Sequence, residues 1–261
     1  MSTNPSLLFE REGAVATLRL NRPDVGNALD IPLARSLMEA AIQCDEDDAI
    51  RCVVLTGNGR MFCAGGDVGA FAAAGDSLPA MLKEITAYLH AAITRLSRMG
   101  KPLVTAVNGP AAGAGYSLAV LGDIALAARS AHFTLAYTAL GLTPDGGSTW
   151  LLPRLVGLRR AQELALLNKR LSAEEAATLG LVTRAVDDAG LGAEAGQIAQ
   201  QLAASATPAL GKVRNLLLTS FSSTLEAQME AEARSIADSS RTRYGREGVA
   251  AFVTRRKPDF T

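Results

Sequence analysis

The stretch KPLVTAVNGPAAGAGYSLAVLGD, Lys101 to Asp123, has no charge between its two ends, and its reading decides the fold. A run this long without a charge has about the length of a membrane span. Asn108-Gly109-Pro110 interrupts it, however, as do Gly113 and Gly115. Before the interruption, Leu103 to Val107 is an apolar, partly β-branched run of strand length. The segment therefore reads as a buried strand, a glycine loop and a buried helix to Leu121, and no membrane span is expected.

Outward from this stretch the same cycle recurs. Upstream, Cys52 to Thr56 is a short buried strand that leads into a glycine-rich loop from Gly57 to Gly66, with Asp67 as the start of a helix. Leu78 to Met99 reads as a long amphipathic helix with Ile85, Leu89, Ile93 and Leu96 inward, closed by Gly100 and Pro102. Nearer the N-terminus, Ala14 to Leu20 alternates like a strand and Asn21 to Asp24 is a turn. Asp30 with Pro32 behind it then opens a helix in which Leu33, Leu37 and Ile42 share a face. Downstream, Ile124 to Ala128 is a further strand. After Gly141 the spacing is helical over Gly147 to Val156, Arg159 to Leu167, Ala173 to Gly180, Gln197 to Ala204, Ala209 to Thr219 and Leu225 to Ser239. Strands alternating with helices imply an α/β fold with crossover connections and a largely buried sheet. The expected division is a core over residues 1–190 and a helical region over 191–261, with a linker near Asp187 to Gly192.

Composition narrows the function classes. The chain has 261 residues, 48% hydrophobic and 20% charged, ordinary values for a globular protein. Lys and Arg together number 26 and Asp and Glu 26, so the basic excess of a nucleic-acid-binding protein is missing. His90 and His132 are the 2 histidines, and the 3 cysteines, Cys44, Cys52 and Cys63, form no CxxC pair. Neither a metal site nor a disulfide framework is expected, and a reducing, cytoplasmic setting is. Met1 to Gly13 shows no basic start followed by an apolar run, so no secretory leader is expected.

Common catalytic motifs fail. There is no GxxxxGK[ST] and no HExxH, and Gly113-Ala114-Gly115 is followed by Leu118 where a dinucleotide fingerprint needs Gly or Ala. Gly115-Tyr116-Ser117-Leu118-Ala119 approaches a nucleophile elbow but ends wrongly, and His132 is the one histidine downstream of it. What remains is a pair of glycine-rich loops, Phe62 to Asp67 and Asn108 to Gly115, each after a strand and before a helix. Their glycines serve tight turns or let a ligand approach the backbone. In the second case, two N–H groups converging on one oxygen would stabilise a developing negative charge.

The segments NRPDVGNAL (Asn21 to Leu29), GRMFCAGGD (Gly59 to Asp67), KPLVTAVNGPAAGAGYSLAVLGD (Lys101 to Asp123) and GLTPDGGSTWLLPRLVG (Gly141 to Gly157), with REGVAAFVTRRKP (Arg246 to Pro258) near the end, resemble the crotonase superfamily of acyl-CoA enzymes. The resemblance implies a ββα superhelical core, a C-terminal helical trimerisation region, and commonly a dimer of trimers. It implies an acyl-CoA thioester as substrate, with no cofactor beyond the coenzyme A that the substrate carries and no metal. It also implies that the N–H groups of Gly66 and Ala114 hold the thioester oxygen, among a substrate-binding set of Val25, Ala64, Gly65, Asp67, Val68, His90, Ser117 and Tyr137.

The superfamily shares this oxyanion hole but not its acids and bases. The two glutamates with which its hydratases hold water correspond to Ser117 and Tyr137, and neither can serve as a carboxylate base. One carboxylate, Asp145, falls where the superfamily keeps an alternative catalytic acid, and GLTPDGGSTWLLPR is similar to the isomerases that shift a double bond of an acyl-CoA. Asp145 would then shuttle the proton; without the resemblance it reads as a turn or helix-capping residue. The alternatives are a hydratase using Asp145 alone, a dehalogenase-type hydrolase with Asp145 as nucleophile and His90 as base, and an acyl-CoA-binding homologue without catalysis. Tyr137 would bond to substrate or simply pack. Asp67 also reads as a helix cap, and Arg22 pins the Asn21 to Asp24 turn. Arg255 stands where the superfamily places a basic residue near the CoA phosphates of a neighbouring subunit, whereas Asp24 stands where a basic residue often touches the nucleotide of CoA.

Overall fold

The computed structural model describes residues 5–260; residues 1–4 of the stretch read for a leader, and residue 261 of the C-terminal region, lie outside them. The chain opens with β1 (Leu7–Glu12), which pairs antiparallel with β2 (Val15–Leu20) around the left-handed Gly13. Helix α1 (Ile31–Glu46) follows, capped by the Asp30 carboxylate, which accepts the Leu33 N–H at 2.9 Å, with Pro32 in the first turn where its missing N–H costs nothing. Next come β3 (Cys52–Gly57), α2 (Val68–Ala74), α3 (Leu78–Arg98) and β4 (Leu103–Val107). The second glycine loop holds the two-residue β5 (Ala111–Ala112) and leads into α4 (Ala114–Ala119), β6 (Ile124–Ala128) and β7 (His132–Thr134). The rest comprises α5 (Ser148–Val156), α6 (Leu158–Leu166), β8 (Leu171–Ser172), α7 (Ala173–Thr178), β9 (Arg184–Val186), α8 (Leu191–Ala203), α9 (Thr207–Ser220), α10 (Leu225–Arg241) and α11 (Arg243–Val253).

The main sheet runs β1-β2-β3-β4-β6-β9, parallel from β2 onward, and a small second sheet runs β5-β7-β8. Every residue of β3 and β4 is buried, as expected for a parallel sheet covered on both faces. Helices α1 and α3 pack along each other, and Ile85, Leu89, Ile93 and Leu96 of α3 all face inward as the spacing predicts. Ile42 does not: it is exposed, and Ala40, Ala41 and Cys44 continue the inner face begun by Leu33 and Leu37. Ile42 lies five residues beyond Leu37, and 3.6 residues per turn carries that position off the stripe. No helix among the described residues is long and apolar enough to cross a membrane. The Lys101 to Asp123 stretch is indeed strand, loop and helix.

The expected break near Asp187 to Gly192 is a 3-10 turn, Asp188–Gly190, that runs directly into α8, and α8 rests on β3, β4 and β6. Helix α8 begins six residues before the expected Gln197, because its Leu191 and Ala195 face is as buried as Ala199. The helices beyond it are more open. Helix α10 buries no residue, and Leu225, Met229 and Ile236 on it are exposed, as are Phe252 and Val253 on α11.

Candidate active site

Two glycine loops meet at the C-terminal edge of the parallel sheet, and backbone bonds fix one to the other. The Phe62 N–H donates to Pro110 O at 3.1 Å, and the Ala112 N–H to Cys63 O at 2.9 Å. Such an approach requires glycine: a Cβ on Gly115 would stand 2.2 Å from Cys63 O. The first loop is also tied to Leu29, whose N–H donates to Gly65 O at 2.7 Å while its carbonyl accepts the Asp67 N–H at 3.0 Å. This bridge turns the intervening Gly66 N–H the other way. Ala114, the first residue of α4, likewise has no carbonyl one turn behind it in the helix. Among the described residues, neither N–H donates to a protein acceptor.

Gly66 and Ala114 line one cavity of about 300 Å³, walled by Leu29, Ala64, Val68, Phe71, Leu82, Lys83, Ile85, Thr86, Leu89, Gly113, Leu135, Ala136, Tyr137, Leu140, Leu142, Thr143 and Asp145. Its size and mainly apolar wall suit a small organic group. Asp145 is the one carboxylate among these residues.

The surroundings of Asp145 are specific. Its Oδ1 accepts the Tyr137 hydroxyl at 2.5 Å, and its Oδ2 lies 3.9 Å from His90 Nε2, beyond hydrogen-bond reach. Its main-chain carbonyl accepts the hydroxyls of Ser117 at 3.0 Å and Ser148 at 2.9 Å, and the Ser148 N–H at 3.2 Å. The next two residues, Gly146 and Gly147, are left-handed at φ +62° and +77°, and the Gly146 N–H donates to His90 Nε2 at 3.2 Å. Burial, and then the charge of Asp145, push the Tyr137 hydroxyl well above its ordinary range, so it stays a donor.

The sequence-predicted residues divide into groups. Gly66, Ala114, Asp145, Ala64, Val68 and Tyr137 share the cavity. Gly65 at φ +97° packs under it against Ala112 O, and Ser117 supports Asp145 from behind. Asp67 caps α2 by accepting the Ala70 N–H at 3.1 Å, and pairs with Arg22 at 3.1 Å. Val25 is exposed on the 3-10 turn Pro23–Val25, outside the cavity lining. His90 is half exposed and faces a surface hollow with Asp45 and Arg95. Arg255 is exposed in the turn after α11, where its neighbour Arg256 pairs with Glu247. Among the described residues no three His, Cys, Asp or Glu side chains group as a metal site would need. The sequence reading missed Ser148 and most of the apolar wall. Ile85 and Leu89 were visible as a helix face, but nothing local marked Phe71, whose ring lies where a Gly66 Cβ would be.

Comparison with known proteins gives this geometry a context. Residues 10–261 match the family model described as enoyl-CoA hydratase/isomerase. A 1,2-epoxyphenylacetyl-CoA isomerase of Escherichia coli is 41% identical, with 98% of each chain covered. A 4-chlorobenzoyl coenzyme A dehalogenase of an Arthrobacter species is 35% identical over 97% of this chain and 92% of its own. Among solved structures, an enoyl-CoA hydratase from a Polaromonas species superposes with a TM-score of 0.92 at 35% identity, covering 97% of this chain and 98% of that one.

Proposed function

The chain belongs to the enoyl-CoA hydratase/isomerase (crotonase) family and is an enzyme of that family, and from this premise we propose that it shifts the double bond of an enoyl-CoA, with Asp145 as the proton shuttle. One observation carries the reading: among the described residues a single carboxylate, Asp145, lines the cavity that Gly66 and Ala114 also line, and the N–H groups of those two residues donate to no protein acceptor.

The thioester oxygen accepts both N–H groups. Asp145 removes a proton from C2 of a 3-enoyl-CoA, and the electron pair moves into the conjugated system, placing negative charge on the thioester oxygen. The protonated Asp145 then returns the proton at C4, which leaves the double bond between C2 and C3. One base suffices because it ends the cycle as it began. Each N–H stabilises the charged intermediate more than the neutral substrate, and loss of one costs about 2.7–4 kcal/mol of barrier. Hydration would also need a positioned water, and the two places where hydratases of the family keep glutamates hold Ser117 and Tyr137.

On the same reading, Ala64, Gly65, Val68 and Tyr137 border the acyl thioester, while Val25, Asp67, Ser117 and His90 lie around it and Arg255 reaches the CoA phosphates of a neighbouring subunit. The helical region over 191–261 joins copies into a homotrimer or a dimer of trimers; the exposed apolar side chains of α10 and α11 support this. No cofactor beyond the coenzyme A of the substrate is called for, and the setting is cytoplasmic, without membrane or nucleic-acid partners.

The test offers 3-enoyl-CoA, 2-enoyl-CoA and 4-halobenzoyl-CoA to the protein and to Asp145→Asn. The expected result is isomerisation of 3-enoyl-CoA that the substitution abolishes. Isomerisation unchanged in Asp145→Asn overturns the assigned base. Hydration of 2-enoyl-CoA far faster than isomerisation, or release of halide, assigns the chemistry to the hydratase or hydrolase alternative.

A further inference from the structure

Ser117 and Tyr137, which stand where hydratases of this family would grip water, both bond to Asp145 instead. Tyr137 Oη donates to Oδ1 at 2.5 Å, and Ser117 Oγ donates to the main-chain carbonyl at 3.0 Å. We infer that these are positioning residues that convert Asp145 into a base with one working oxygen: Ser117, with Ser148, fixes the peptide, and Tyr137 occupies Oδ1 so that Oδ2 alone exchanges a proton with the substrate. The inference rests on the proposed role of Asp145.

The local backbone is built around this arrangement. Ala136, next to Tyr137, is held at φ +57°, a conformation that residues with a Cβ rarely adopt, and it aims the Tyr137 ring into the cavity beside the oxyanion loop. The ring comes within 4.0 Å of where a Gly113 Cβ would stand. On the far side, Gly146 passes so close to Ser117 that a Cβ there would lie 2.9 Å from the Ser117 Cβ. Ser117 is 2% exposed, so its hydroxyl has no solvent to serve; it donates to the Asp145 carbonyl and also lies against the Tyr137 hydroxyl. Tyr137 remains protonated because burial and the adjacent carboxylate oppose its ionisation. A permanent donor on Oδ1 holds that oxygen in one place. It also removes the choice between oxygens, and leaves the hydroxyl proton of neither Ser117 nor Tyr137 free to donate to a water.

The two residues therefore have separable signatures. The titratable or charged groups that face Asp145 are Tyr137 from the turn after β7, His90 from α3 and, across the cavity wall, Lys83 from α3. Removing the Tyr137 hydroxyl makes the carboxyl group bind its proton more tightly. The acid limb of the kcat profile then moves to higher pH, because the charged form has lost a donor. Removing the Ser117 hydroxyl loosens the peptide but leaves two bonds from Ser148, so kcat falls without a displacement of the limb.

The experiment measures kcat and KM for 3-enoyl-CoA isomerisation between pH 4 and 9 in the parent, Tyr137→Phe, Ser117→Ala and Asp145→Asn. A further protein carries 3-fluorotyrosine, a stronger donor of nearly the same size, at position 137. The expected result is an acid limb raised in Tyr137→Phe and lowered with fluorotyrosine, with KM within about twofold, and a lower kcat at an unmoved limb in Ser117→Ala. In parallel, the ¹³C carboxyl resonance that Asp145→Asn removes is titrated by NMR and is expected to follow the same displacements, which reads the inference without turnover. A limb and a resonance in Tyr137→Phe that superpose on the parent overturn it. So does a raised KM with kcat unchanged, which would make Tyr137 a substrate contact. Full activity in Asp145→Asn instead removes the proposed base itself, a failure distinct from that of the inference.

Discussion

The Gly146 N–H donates to His90 Nε2 at 3.2 Å, so the imidazole nitrogen nearest Asp145 is already engaged as an acceptor. A nitrogen so placed helps to hold the loop that carries Asp145, and it would have to give up this bond before taking a proton from water, the task a hydrolase would require of it. His90→Gln retains an acceptor for Gly146 and is expected to isomerise at nearly the parent rate. His90→Ala loses a half-exposed bond contributing about 1 kcal/mol, roughly fivefold in kcat. Steady-state rates of the two variants check this, and a loss of several hundredfold in both would return His90 to the chemistry.

Gly66 and Gly115 predict opposite outcomes for the same substitution. A Cβ on Gly66 would lie 2.4 Å from the tip of the Phe71 ring, which can swing aside. Gly66→Ala is therefore expected to fold with a similar melting temperature and to lose about 10²–10³ in kcat as the N–H is displaced from the thioester oxygen. On Gly115 the obstacle is the Cys63 carbonyl at 2.2 Å, part of the backbone that joins the two loops. Gly115→Ala is expected to lose at least about 1–3 kcal/mol of stability. Thermal melts and rates for both variants distinguish the two cases.

These contrasts mark what the sequence could express. The strands Leu103 to Val107 and Ile124 to Ala128, and the inward side chains of α3, were legible because periodicity and β-branching are local. The short strands β7, β8 and β9 were not, since two or three residues carry no periodicity and owe their state to pairing partners far along the chain. Gly66, Ala114 and Asp145 were reachable through motif resemblance. The bond from Tyr137 to Asp145 was not, because it depends on the left-handed turn at Ala136, a conformation alanine does not advertise.

Acid stability is expected to register the cap of α2. The Asp67 carboxyl is held below its ordinary value of 3.8, chiefly by the Ala70 N–H and further by Arg22. A carboxylate whose folded pKa is depressed contributes stability that is complete above its unfolded value, about 3.9, and lost as pH falls through the folded value. The urea midpoint of the parent should thus fall between pH 5 and pH 3 more steeply than that of Asp67→Asn. Parallel slopes would show that Asp67 plays no part in acid unfolding.

The thiols should be silent in the folded protein. Cys44, Cys52 and Cys63 are all buried, and burial pushes each up to about 12, so almost no thiolate forms at pH 8. A disulfide reagent at pH 8 is expected to find no reactive thiol in the native state and all 3 after denaturation.

Arg214 fastens α9 to the core. Only 9% of its side chain is exposed, and from α9 it donates to the carbonyls of Leu96, Met99 and Lys101, where α3 ends, and to the Asp123 carboxylate. Asp123 in turn accepts the Leu103 N–H at 2.7 Å, so one guanidinium links α9, the end of α3 and the loops flanking β4. Arg214→Ala leaves these acceptors and a partly buried carboxylate without their donor, a loss of about 3–5 kcal/mol. Arg214→Lys keeps the charge, but one ammonium cannot reproduce the planar fork across four partners, and an intermediate loss is expected. Urea denaturation orders the three proteins. Limited proteolysis should cut first near Ser222 to Thr224, between α9 and α10, in Arg214→Ala; equal protection in parent and variant would mean that α9 is held by its apolar contacts alone.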